Sequence, residues 1–171
     1  GQRPERPELI GVLVCGPRKS GRAYERADRT LLAGMADQAA SAIWGYGTGL
    51  DLTRRDLQAR AKAMQRSWDL GKNFEGSAVL SALTPAADFQ PAGQRIHLDV
   101  NGITRQDSVI SDMVWSIPEI IADLSQYYHL APGDLIMTGT PAGVGAVTSG
   151  DRLAGRIAGL APVELTIGPA E

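Results

Sequence analysis

Residues 130–145 read LAPGDLIMTGTPAGVG, and the fold is decided by how this stretch is read. Pro132-Gly133-Asp134 makes a turn: proline presets one turn dihedral, and glycine supplies the conformation that side chains resist. The turn delivers the chain into a short apolar run, residues 135–138, predicted as a strand. The glycine-rich loop Gly139-Thr140-Pro141-Ala142-Gly143-Val144-Gly145 follows. Its backbone N–H groups and the Thr140 hydroxyl offer a cradle for a carboxylate. It lacks the G-x-x-x-x-G-K-[ST] pattern, so it does not fit a nucleotide P-loop.

Working outward, Asn101-Gly102 separates the runs 96–100 and 103–106 and is the strongest short hairpin signal available. Ser116-Ile117-Pro118-Glu119 is a capping box, and Ile117, Ile120, Ile121, Leu124 and Tyr128 give the helix it opens one apolar face. Ser149-Gly150-Asp151 repeats the turn, and residues 163–167 alternate as a last strand. Toward the N-terminus, Gly45, Gly47 and Gly49 lead to Asp51 at the mouth of a glycine-rich strand, where glycine marks a bulge or a close backbone approach. Thr53-x-x-Asp56 is read as the cap of a helix running through Gln58 to Met64. Residues 9–15, LIGVLVC, are a β-branched-rich run closed by Gly16-Pro17 and predict a buried strand. Asp28 caps a predicted helix carrying Leu31, Leu32, Met35, Ala39 and Ile43 on one stripe. Short strands with glycine turns and two or three helices give an α+β class, mostly β.

The bulk numbers restrict the function. A chain of 171 residues fits a single domain over residues 1–171. Its 17 basic and 19 acidic residues leave a formal charge of −2. Without a basic run, the electrostatic footprint of a nucleic-acid binder is missing. The apolar runs fall well short of the ~20 residues that cross a bilayer. Cys15 is the only cysteine, so no internal disulfide forms and a cytoplasmic location is expected.

The candidates for chemistry are polar groups set among glycines. Asp51 is either a turn residue or a ligand for a hard cation. Arg55 and Gln58, three apart, share one helix face beside it, which is a solvated face or part of a site. Lys72 follows Gly71 between apolar Leu70 and Phe74; it either snorkels or binds an oxyanion. His97 within a strand and His129 at a helix end read as structural.

Several of these segments, in this order, resemble the fumarylacetoacetate hydrolase family. The segment Gly45 through Gln58 is similar to the family's metal-aspartate segment. Gly71-Lys72-Asn73-Phe74, Asn101-Gly102 with Arg105-Gln106-Asp107, Ser111-Asp112-Met113 and residues 130–145 match in turn, covering roughly residues 45–168. The wording Leu50-Asp51-Leu52-Thr53-Arg54-Arg55-Asp56-Leu57-Gln58, and Trp68-Asp69 before Gly71-Lys72, look most like fumarylpyruvate hydrolases. The resemblance implies a rolled, mixed β-sandwich that holds Mg²⁺ or Mn²⁺ through three carboxylates. Asp51 is one ligand, and Glu8 maps onto the first Glu of a Glu-x-Glu. Ile10 stands where the second Glu is expected, unless Glu5 substitutes. Hard cations take oxygen ligands and chelate the keto and enolate oxygens of a 2,4-dioxo acid. Lys72 is implied to stabilise an enolate, Arg55 and Gln58 to orient substrate, and Gly139 and Thr140 to hold the 2-oxo acid end. Relatives also carry a His/Glu pair on an N-terminal lid, which nothing before Leu9 supplies.

The implied activity is hydrolysis of a C–C bond in an acylpyruvate such as fumarylpyruvate. One alternative keeps the pocket for tautomerisation, decarboxylation or a biosynthetic rearrangement of an enolisable substrate; another is a non-catalytic relative. A small oxo acid and a second copy, as a homodimer, are the implied partners, with no nucleic acid or membrane.

Overall fold

Alternation of buried and exposed positions shapes most of the molecule. The structure is a computed structural model that describes residues 43–169, together with the backbone of two strands, β1 (Glu5–Arg6) and β2 (Leu9–Cys15). The Asp28 helix lies outside the described residues except for its last member. That residue, Ile43, instead opens strand β3 (Ile43–Asp51). β2 runs antiparallel to β3 with Leu9 opposite Leu50 and Ile10 opposite Gly49, and a bulge falls between Val14 and Cys15.

The glycines of β3 act as close-approach residues. A Cβ on Gly45 would lie 2.5 Å from the Thr84 carbonyl oxygen, and one on Gly47 would lie 2.8 Å from the Leu83 side chain. The short strands β5 (Ala78–Leu80) and β6 (Thr84–Pro85) both pair with β3 along that edge. On the other side β2 pairs with β9 (Leu135–Met137), which is the strand expected after the Pro132 turn. The sheet order is β5-β3-β2-β9. A two-residue strand, β4 (Thr53–Arg54), pairs with β1.

The second sheet grows from the Asn101-Gly102 hairpin. β7 (Arg95–Val100) and β8 (Ile103–Val109) flank it. Asn101 and Gly102 both take positive φ, 54° and 74°, as a tight two-residue hairpin turn requires. β10 (Arg152–Ile157) pairs with β7, and β11 (Val163–Thr166) closes the order β11-β10-β7-β8. The sandwich was expected to be mixed; every pairing among the described residues is antiparallel.

Between the sheets lie Leu50, Leu98, Val147, Leu153 and Ile157, none more than 2% exposed, with Tyr46 tilted against Phe89 at 5.2 Å between ring centroids. Burying each such aliphatic chain contributes on the order of 1.5–3 kcal/mol. The capping-box helix forms as expected. Ser116 Oγ accepts from the Glu119 N–H, and the Glu119 carboxylate accepts from Ser116 Oγ and N–H, each at 2.7 Å. These bonds, the hydroxyl's first, hold the Glu119 carboxyl below its usual range. The helix ends at Leu124, however, so Tyr128 stays exposed and His129 lies beyond its last turn. Its inner face packs Ile121 with Ile117, Ile120 and Leu124 onto Ile43 and Ile136. His97, read as structural, bonds through Nε2 to Asp99 Oδ1 at 2.9 Å.

Candidate active site

Asp51 is the last residue of β3, and where that strand ends the chain turns through β4 into helix α1 (Arg55–Ala63). The short helix α2 (Asp69–Lys72) then folds back against α1. Gly71 permits the contact: a Cβ there would meet the Gln58 N–H nitrogen at 3.1 Å and the Arg54 carbonyl oxygen at 3.2 Å. The Arg54 guanidinium lies 4.4 Å over the Phe74 ring and holds the segment from its other side. Lys72 is thereby aimed at the end of β3, where its Nζ donates to Asp51 Oδ2 at 2.5 Å and to Thr53 Oγ1 at 2.9 Å. Both charged side chains are largely shielded, Lys72 at 27% and Asp51 at 18% exposed.

Thr53 was read as a helix cap and is something else. The residue before α1 is Arg54, no side chain caps that helix, and the fully buried Thr53 hydroxyl accepts from Lys72. Asp56 has too short a side chain for the reciprocal half of a capping box, which uses Glu or Gln. One turn into α1, Arg55 Nη1 donates to Gln58 Oε1 at 2.6 Å, and Gln58 is 7% exposed, so this pair is not a solvated face. The i, i+3 spacing placed these residues together, and the structure brings Asp51, Thr53, Arg55, Gln58 and Lys72 into one neighbourhood.

Gly139 and Thr140 belong to a second group, built on β8. The Gln106 carboxamide donates to Thr140 Oγ1 and to the Pro141 carbonyl, each at 2.7 Å. Gly143 then sits where a Cβ would fall 1.9 Å from the Arg105 carbonyl oxygen, with φ at +105°. Gly143→Ala is therefore expected to cost at least about 3 kcal/mol, combining left-handed strain with a backbone clash. Urea denaturation checks it; an unchanged midpoint would mean the loop is not docked this way. A cavity of about 520 Å³ opens beside the loop, lined by Gly139, Thr140, Ile110, Asp112, Trp115 and Met137 among others. Asp51, Arg55, Gln58 and Lys72 do not line it.

The metal set is visible only in part. Glu8 lies outside the described residues. Among the described residues no three His, Cys, Asp or Glu side chains converge as a metal group. Asp51 supplies the hard oxygen chemistry that Mg²⁺ or Mn²⁺ selects, and only its Oδ2 is bonded to Lys72. The antiparallel register brings Leu9 beside Leu50, so the start of β2 lies alongside the Asp51 end of β3. Of the implied ligand set, Asp51 is the member among the described residues, and its carboxylate oxygens suit a hard divalent ion.

Known proteins are similar to this chain in sequence and fold. The model of the fumarylacetoacetate (FAA) hydrolase C-terminal family matches residues 25–168. A fumarylpyruvate hydrolase from a Ralstonia species is 53% identical over 167 residues, which is 94% of this chain and 87% of that protein. The oxaloacetate tautomerase YcgM of Escherichia coli is 41% identical over 126 residues, 72% of this chain and 58% of its own length. Among solved structures, the fumarylpyruvate hydrolase of Pseudomonas aeruginosa, in complex with Mn²⁺ and pyruvate, superposes with a TM-score of 0.86 at 38% identity. That match covers 98% of this chain and 67% of that one. No described helix is long and apolar enough to cross a membrane. With the fold, the order of its motifs and these relatives in agreement, the chain belongs to the fumarylacetoacetate hydrolase family, matching its C-terminal domain.

Proposed function

We propose that residues 1–171 form one catalytic domain that hydrolyses the C–C bond between the two carbonyl-bearing halves of an acylpyruvate, fumarylpyruvate being the first candidate. The observation that carries the reading is the Asp51–Lys72 pair at 2.5 Å, anchored on buried Thr53. The Ralstonia and Pseudomonas relatives support the substrate class. A divalent ion bound at Asp51 would chelate the 2-oxo acid oxygens and withdraw electron density from them.

The chain's own residues do the rest. Water adds to the acyl carbonyl, the bond from that carbon to C3 breaks, and its electron pair passes into the pyruvate half as an enolate. Lys72 holds its ammonium where that negative charge develops, and such a donor acts most strongly in a shielded site. Arg55 pairs with a substrate carboxylate, and Gln58 accepts from Arg55 and fixes the fork. Thr140 and the Gly139 backbone receive the 2-oxo acid end. Protonation of C3 completes pyruvate, and the acyl half leaves as a carboxylic acid. A small oxo acid as ligand and a homodimer as assembly belong to the same proposal.

The likeness to YcgM favours a second reading, tautomerisation of an oxo acid such as oxaloacetate, which passes through the enolate of the intact substrate, without water and without C–C cleavage. Incubating the protein with Mn²⁺ and fumarylpyruvate separates the two. Loss of the dioxo-acid absorbance with equimolar pyruvate and fumarate supports hydrolysis. An inert dioxo acid beside rapid enol–keto exchange of oxaloacetate would give the site to the tautomerase reading.

A further inference from the structure

Gln106 lies on β8 directly across from Leu98, and both are only 1% exposed. A carboxamide at such a core position costs free energy unless its polar atoms are bonded. Gln106 meets that cost through the loop, donating from Nε2 to Thr140 Oγ1 and to the Pro141 carbonyl oxygen, both at 2.7 Å. The second acceptor settles which end of the amide faces the loop. A carbonyl oxygen only accepts, so the NH₂ group must face Pro141, and its other proton then points to Thr140.

A threonine hydroxyl has one proton to give and two lone pairs to receive with. With a lone pair already engaged by Gln106, the Thr140 proton is turned away from β8. We infer that Gln106 is a positioning residue that sets Thr140 as a hydrogen-bond donor toward the substrate's 2-oxo acid oxygens. It touches no reacting atom and acts only through Thr140. The inference rests on the placement of the 2-oxo acid end at Thr140 in the proposed function. It adds the residue that decides the direction of that hydrogen bond.

Gln106→Glu replaces the donor with an acceptor of the same shape, so the Thr140 proton turns back toward β8. Gln106→Met keeps the volume and offers neither. The test measures pyruvate affinity by calorimetry in Mn²⁺-loaded protein for wild type, Q106E, Q106M, Thr140→Val and the combined variants. Q106E and T140V are each expected to weaken pyruvate about 10- to 100-fold, the loss of one hydrogen bond to a charged group. The double variant Q106E/T140V is expected to be no weaker than T140V alone, because both changes remove one interaction. Full multiplication of the two losses, or wild-type affinity in Q106E at an unchanged melting temperature, would overturn the inference. Should Q106E fail to fold, the cycle built on Q106M decides in the same way. Pyruvate binding does not depend on turnover. A wild type that binds pyruvate, loses it on Q106E and leaves fumarylpyruvate intact would therefore reject the hydrolase reading while upholding Gln106.

Discussion

Lys72→Met lowers kcat for acylpyruvate hydrolysis by about 10²–10³-fold, the usual loss when one donor to a developing oxyanion is removed. Methionine keeps most of the apolar stem, so the fold is expected to persist. The substitution strips Asp51 of its 2.5 Å ion pair and leaves Thr53 Oγ1 without that donor. Asp51 keeps some access to water, being 18% exposed, which softens the cost to stability. Because the enolate charge exists only along the reaction path, KM should move little while kcat and kcat/KM fall together. Steady-state kinetics across fumarylpyruvate concentrations makes the comparison. A variant within threefold of wild type in kcat would remove Lys72 from the chemistry.

Asp51→Asn separates the second role. Asparagine has the same shape but no charge, and Lys72 retains Thr53 as a partner. The expected result is a drop of roughly 100-fold or more in Mn²⁺ affinity, with hydrolysis lost in proportion. The two variants should move metal binding in opposite directions. Removing the Lys72 ammonium takes away a cation that competes for Asp51 Oδ2, so K72M binds Mn²⁺ at least as tightly as wild type. Calorimetric titration of both proteins reads this directly. Equal Mn²⁺ affinity in D51N and wild type would mean that the ion, if bound, sits elsewhere.

What could be read from the sequence was whatever is written in neighbouring residues. The Ser116–Glu119 box is reciprocal within four residues, and Asn101-Gly102 carries its own dihedral preference, so both were legible. The glycines of β3 announced a close approach, though not that Thr84 and Leu83 make it. Strand β10 was missed because Ala154 and Gly155 dilute its alternation, and its identity comes from pairing with β7, more than fifty residues earlier. Thr53 was misread for a related reason. Its hydroxyl has a plausible local use as a cap, and the competitor that takes it, Lys72, is 19 residues away. Asp51, Arg55, Gln58 and Lys72 were legible as candidates because they are polar groups set among glycines, but a definite task for each of them and for Thr140 came only from the family resemblance. Gln106 was quoted within that pattern but given no task, and a buried amide reveals its task only when its acceptors are seen.

The two groups of site residues differ in how far apart along the chain their partners lie. The Asp51–Lys72 pair closes a span of 21 residues, whereas Gln106 reaches Thr140 across 34 and needs β8 already paired in the second sheet. Closing the longer span costs more chain entropy and depends on more prior structure. Partial opening of the sandwich would thus release the Thr140 loop while α1, α2 and the end of β3 still hold together. Under mild denaturant, amide exchange should report faster opening at Thr140 and Gly143 than at Lys72. A chain in that state would keep its place for a cation and lose its grip on the substrate, so activity would fade before metal binding as the protein is warmed.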